Sequence, residues 1–187
     1  MNKNFIAEIY RSKQSAFTLR DLSVLVGEEN YDNLKRAVNY YAKKGVISNV
    51  RRGFYVKEEF DPFELAVKIF PPAYIGFETV LLREGVIFQY DSTITVASYL
   101  SREIDVKGYL FRYRKLKATI LTSPEGLVFN DRYTIAEKER AFLDILYLNR
   151  DFYVDHFEKL DKNRILEIVE IYENLSLEKK VKELFNA

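Results

Sequence analysis

The chain has no cysteine, one histidine, seven glycines and four prolines among its 187 residues. Without cysteine there is no disulfide, no thiolate metal site and no cysteine nucleophile. His156 has no second histidine to complete a metal motif, so beside Phe157 it reads as a surface or capping residue. So few glycines and prolines leave little room for long flexible linkers. The apolar runs fall far short of a membrane span, and Met1-Asn2-Lys3-Asn4 leads into no signal-peptide core. A cytoplasmic location with no membrane partner is therefore expected. There is also no Gly-rich phosphate loop and no Gly-x-Ser-x-Gly elbow, so no cofactor is expected.

What is present describes an ordinary globular chain, 48% hydrophobic and 30% charged, long enough for one large domain or two small ones. The net charge is only +1, but it is unevenly spread. Residues 1–60 carry 11 Lys and Arg against 7 Asp and Glu, whereas residues 131–187 carry 10 against 13. A basic front and an acidic back favour one surface that meets phosphate and another that does not.

The front third has the order of parts of a winged helix-turn-helix. Phe5, Ile6, Ile9 and Tyr10 predict a first helix from about Lys3 to Arg11. Thr18 with Asp21 three residues later predicts a capped second helix, with Leu19, Leu22, Val24, Leu25 and Val26 mostly buried and Gly27 as its stop. A third helix is expected from Tyr31 to Lys44, packing through Leu34, Ala37, Val38 and Tyr41. Its opposite face carries Asn33, Lys35, Arg36, Asn39, Tyr40 and Lys43. Arg and Lys reach guanine edges or phosphates and Asn pairs with adenine, although a plain solvated face shows the same residue types. Val46–Val50 and Phe54–Val56 then read as a hairpin with Arg51-Arg52-Gly53 at its tip, where two adjacent arginines gain little from packing and suit backbone phosphates. Thr18 and Arg20, at the start of the second helix, are candidates for one more phosphate contact.

Asp61-Pro62 and Pro71-Pro72 flank a short helix, Phe63 to Phe70, and place a domain boundary at residues 60/61. Beyond it the pattern is α+β. A helix is expected from Tyr74 to Arg83, strands at Thr93–Ala97, Tyr109–Leu116 and Val128–Phe129, and a helix from Ile135 to Leu148. Further helices are expected around Phe152–Leu160, Arg164–Tyr172 and Leu177–Phe185, with Ser176 as N-cap of the last. Arg112 and Arg114 alternate with Tyr109, Phe111 and Tyr113; a half-buried strand explains this better than stacking on single-stranded nucleic acid.

Catalytic candidates are sparse, and no catalytic or metal-ligating residue is assigned. Glu137 and Glu139 share a helix with Lys138 and Arg140, which points to local ion pairs. Asp144 lies in an apolar run; if buried it needs a donor such as an arginine, which makes it structural. Asp91 with Asp105-Val106-Lys107 loosely matches the carboxylates of metal-dependent nucleases, a minor alternative to DNA binding.

Taken in order, four segments resemble the AbiEi family of antitoxins and transcriptional regulators. They are Arg51-Arg52-Gly53-Phe54-Tyr55-Val56, Ala73-Tyr74-Ile75-Gly76-Phe77-Glu78-Thr79-Val80-Leu81 leading to Gly85, Gly108-Tyr109-Leu110-Phe111-Arg112-Tyr113-Arg114, and Ile135-Ala136-Glu137-Lys138-Glu139-Arg140-Ala141-Phe142-Leu143-Asp144. Gly76 stands where the family usually has serine, and Phe142 and Ile145 vary the apolar helix. The resemblance implies an operon-repressing N-terminal winged helix over residues 1–60. It implies an α+β antitoxin domain over 61–187 that counters a nucleotidyltransferase-like toxin without a stable complex, and no enzymatic activity. The expected partner is double-stranded operator DNA, read by Asn33, Lys35, Arg36, Asn39 and Lys43, with Arg51 and Arg52 on phosphates; the oligomeric state stays open. A winged-helix regulator or protein-interaction module without a toxin is the alternative.

Overall fold

The computed structural model describes residues 5–88 and 91–186. The chain is a mixed α+β protein with a three-stranded sheet followed by a six-stranded one. Helix α1 (Phe5–Arg11) leads into strand β1 (Ala16–Thr18), then α2 (Leu19–Val26), α3 (Tyr31–Lys43) and the hairpin β2 (Ser48–Arg51) and β3 (Phe54–Val56). The start of α1 expected at Lys3 lies outside the described residues. The sequence does not announce β1, since three residues carry no readable period, yet β1 pairs antiparallel with β3 and gives the order β1-β3-β2.

Local chemistry fixes the helix ends. The Thr18 hydroxyl accepts from Asp21 N–H at 3.1 Å and the Asp21 carboxylate accepts from Thr18 N–H at 2.8 Å, a complete capping box. Gly27, at φ 65°, ends α2 in the left-handed conformation that glycine adopts without strain. The Asn30 side chain caps α3 by accepting from Asp32 and Asn33 N–H. Leu34, Val38 and Tyr41 face inward as expected and join Phe5, Ile9, Phe17, Leu22, Ile47 and Tyr55 in a small core. Helix α2 is less buried than its composition suggests: Leu22 is its buried residue and Val24 is 79% exposed.

Helix α4 (Pro62–Ile69) follows, capped by Asp61 with proline in its first turn. The larger sheet has the order β6-β7-β5-β4-β9-β8. Its strands are β4 (Tyr74–Ile75), β5 (Ile94–Ser98), β6 (Arg102–Val106), β7 (Tyr109–Lys115), β8 (Leu127–Phe129) and β9 (Thr134–Ala136). Tyr74 and Ile75 do not open a helix. They sit mid-sheet between β5 and β9, and α5 (Phe77–Arg83) begins only after Gly76. Likewise Ile135 and Ala136 belong to β9, and the helix α7 spans Lys138–Leu148. A short α6 (Ala118–Leu121) joins β7 to β8.

Phe152–Leu160 is not a helix beyond a 3-10 turn at Phe157–Lys159. Helix α8 (Lys162–Ile168) passes into a 3-10 turn, and α9 (Leu175–Asn186) closes the described chain. Asn174, not Ser176, caps α9, accepting from Ser176 and Leu177 N–H at 3.1 Å each. No described helix is long and apolar enough to cross a membrane.

Candidate nucleic-acid interface

The outward face of α3 follows from its inward one. With Leu34, Val38 and Tyr41 buried, the helical period turns Asn33, Lys35, Arg36, Asn39, Tyr40 and Lys43 outward, and all six are exposed. Some are already engaged locally. Arg36 donates to the Asn33 side-chain oxygen at 2.9 Å and to the Asp32 carbonyl at 3.3 Å, and the Lys35 ammonium lies 4.6 Å from the Tyr31 ring centre. Asn39 and Lys43 have no side-chain hydrogen bond among the described residues. Among those residues, Arg20, Lys35, Arg36, Lys43, Lys44, Arg51 and Arg52 also form no ion pair with a carboxylate. No described carboxylate neutralises these seven cations, three of which, Lys35, Arg36 and Lys43, lie exposed on α3.

The two hairpin arginines part company. Arg52 is exposed at the turn beside Gly53, whose φ of 82° the tight turn requires. Arg51 is half-buried, with its guanidinium 5.8 Å from the centre of the Phe70 ring. The expectation that both gain little from packing fails for Arg51: a register shift between Asn49 and Arg51 accompanies a side chain turned onto the end of α4. Thr18 is also occupied, since its amide and hydroxyl are both committed to the capping box. It is a cap first, and its own N–H is not free for a phosphate. Arg20 is exposed and forms no ion pair with a described carboxylate, although Asp21 follows it directly in the chain.

In the larger core, the buried carboxylate expected at Asp144 finds its arginine one turn earlier. Both side chains are 0% exposed, with Arg140 Nε to Asp144 Oδ1 at 3.3 Å. Tyr172 and Tyr74 hydroxyls donate to Asp144 at 2.6 and 2.7 Å, and Arg140 also donates to the carbonyls of Ile120 and Glu125 at 2.6 Å each. Burial raises the Tyr74 and Tyr172 phenols far above their ordinary pKa, helped by the Asp144 charge. Each side-chain nitrogen and oxygen of Arg140, Asp144, Tyr74 and Tyr172 has at least one hydrogen-bond partner, which is the arrangement of a structural anchor. The sequence signal was an Arg and an Asp four residues apart inside an apolar run.

The acidic candidates for nuclease chemistry have local duties. Asp91 accepts from Thr93 N–H at 2.8 Å and lies 3.4 Å from Arg112, and its pKa is lowered chiefly by the Thr93 hydrogen bonds. Asp105 accepts from Gly108 N–H at 3.2 Å in the β6–β7 turn. No group of three or more His, Cys, Asp or Glu among the described residues is arranged to hold a metal ion. His156 pairs with Glu158 at 2.6 Å and stands edge-on to the Phe88 ring.

No protein-family model and no curated protein matches the sequence. The fold does have a counterpart. The crystal structure of the RV2827C protein from Mycobacterium tuberculosis superimposes with a TM-score of 0.57 at 10% identity, covering 97% of this chain and 74% of that one. At that identity the likeness is one of fold.

Proposed function

We propose that this chain is a DNA-binding antitoxin that represses its own operon, with residues 1–60 acting as a winged helix-turn-helix and α3 as the reading helix. The observation that carries the DNA-binding half is the exposed face of α3, where Lys35, Arg36, Asn39 and Lys43 meet no carboxylate among the described residues. The helix-strand-helix-helix-hairpin order with Arg52 at the hairpin turn supports the same reading. Lysines and arginines supply sequence-independent phosphate attraction, and asparagine can read adenine in the major groove. The antitoxin half rests on the AbiEi-like segments: residues 61–187 would oppose a nucleotidyltransferase-like toxin encoded beside this chain, without a stable complex, in the cytoplasm.

The test uses the full chain and duplex DNA from upstream of its own coding sequence. Asn39→Ala should bring the affinities for upstream and unrelated duplexes closer together, by roughly 1–3 kcal/mol of lost discrimination. Equal weakening on both duplexes counts against base reading by α3. Growth rescue on co-expression with the neighbouring toxin gene checks the antitoxin half.

A further inference from the structure

Helix α4 grips both parts of the DNA-facing region. Glu64, 0% exposed, accepts from Ser15 N–H at 2.8 Å and from the Ser15 hydroxyl at 2.7 Å, tying α4 to the residue before β1. One turn later the Lys68 ammonium donates to the Ala16 carbonyl of β1 at 2.8 Å and to Asp21 Oδ2 at 3.1 Å. The same Asp21 oxygen holds the capping box of α2, the helix on which α3 packs. Just past the end of α4, Phe70 carries the Arg51 guanidinium of the hairpin. The other Glu64 oxygen has no hydrogen bond among the described residues and lies 3.5 Å from Lys68. Lys68 therefore serves two masters: it compensates a buried carboxylate and it fixes the start of α2.

We propose that Lys68 is a positioning residue for DNA recognition: from outside the DNA-facing face, it sets the posture of the α2–α3 pair against the hairpin so that both meet one duplex. This rests on the DNA-binding reading above. Major-groove hydrogen bonds are directional, so a tilted reading helix loses discrimination, whereas charge attraction to phosphate survives small shifts. Lys68 is largely buried, its side chain 15% exposed, which suits a strut better than a phosphate contact.

The experiment compares full-length wild type, Glu64→Gln/Lys68→Met and Asp21→Asn on upstream and unrelated duplexes, with thermal melts alongside. The double variant removes both members of the α4 pair, so no charge is left buried at Glu64, and it releases Asp21, whose side chain is 31% exposed, from its lysine. Asp21→Asn keeps an oxygen for the Thr18 amide but drops the charge that Lys68 holds, so the question stands even if the double variant fails to fold. The expected result is a loss of about tenfold on upstream DNA and less than about twofold on unrelated DNA, in protein that is still folded at the assay temperature. Wild-type affinity for upstream DNA in folded variants overturns the proposal, as does an equal loss on both duplexes, which would make Lys68 a simple charge. Wild type that does not prefer upstream DNA overturns the DNA-binding reading itself, a separate failure seen before any variant is compared.

Discussion

Asp144→Asn removes one charge from the centre of the larger core and changes almost no volume. Arg140 keeps its proton under all ordinary conditions, so the variant leaves a fully buried guanidinium facing two phenols, two carbonyls and a neutral amide. Breaking one side of a buried ion pair costs about 3–5 kcal/mol. The Ile120 and Glu125 carbonyls still accept from Arg140, so the lower end, about 3 kcal/mol, is expected here. For a chain of this size that lowers Tm by roughly 6–12 °C. Urea unfolding and thermal melts followed by circular dichroism would measure it. Burial pushes the Asp144 carboxyl upward and Arg140 opposes that shift. A carboxyl already neutral in the fold would be replaced by amide at little cost. A loss under about 1 kcal/mol would therefore refute the ion pair. Arg140→Met with Asp144→Leu provides the complement. It removes both charges but strands the two carbonyls, so it should remain about 2 kcal/mol or more below wild type.

Gly126→Ala should cost about 2–4 kcal/mol, read by urea midpoint, because a Cβ there meets Arg140 Cβ and Ile168 Cδ1 at 2.8 Å and the backbone holds φ at +69°. The hairpin arginines should separate in DNA titrations over a range of salt. Arg52→Ala lowers the slope of log affinity against log salt by about 0.9 on any duplex, while Arg51→Ala leaves the slope alone and costs up to about 1 kcal/mol of stability from the lost Phe70 contact. Burial raises the phenols of Tyr74, Tyr113 and Tyr172 above the ordinary 10.0. Their neutral forms thus contribute stability that is whole below pH about 10 and lost as pH climbs through the folded values. Ultraviolet titration should show these three silent until alkaline unfolding; smooth ionisation in folded protein would contradict their burial.

Where the chain's local chemistry decides an element, the residues announce it. The Thr18–Asp21 box, the Gly27 stop and the inward row of α3 are set within a few residues of one another, and they lie where the sequence puts them. Partners distant in sequence decide the rest. Tyr74 and Ile75 have the apolar character of a helix start, but pairing with Ala97, Val96 and Ile135 makes them a strand. β6 carries no apolar alternation, because its Arg102, Glu103 and Asp105 are exposed at a sheet edge. Asn174 outcompetes Ser176 as a cap because it stands one position before α9 begins. For the candidate site, exposure of the α3 face was legible from period alone. The Arg51–Phe70 contact and the Lys68 tie were not, since each joins residues separated by 19 or more positions through packing.

The alternation of β1 and β3 has a thermodynamic consequence. Phe17 and Tyr55 point into the small core, whereas their neighbours Ala16 and Val56, paired in the same two strands, point into the large one. One wall thus serves two hydrophobic compartments, and neither can lose it without exposing the apolar side chains of the other. Calorimetry should accordingly record one heat-absorption peak whose calorimetric and van't Hoff enthalpies agree. A fragment cut at residue 60 would carry a greasy outer sheet face into solution and should self-associate.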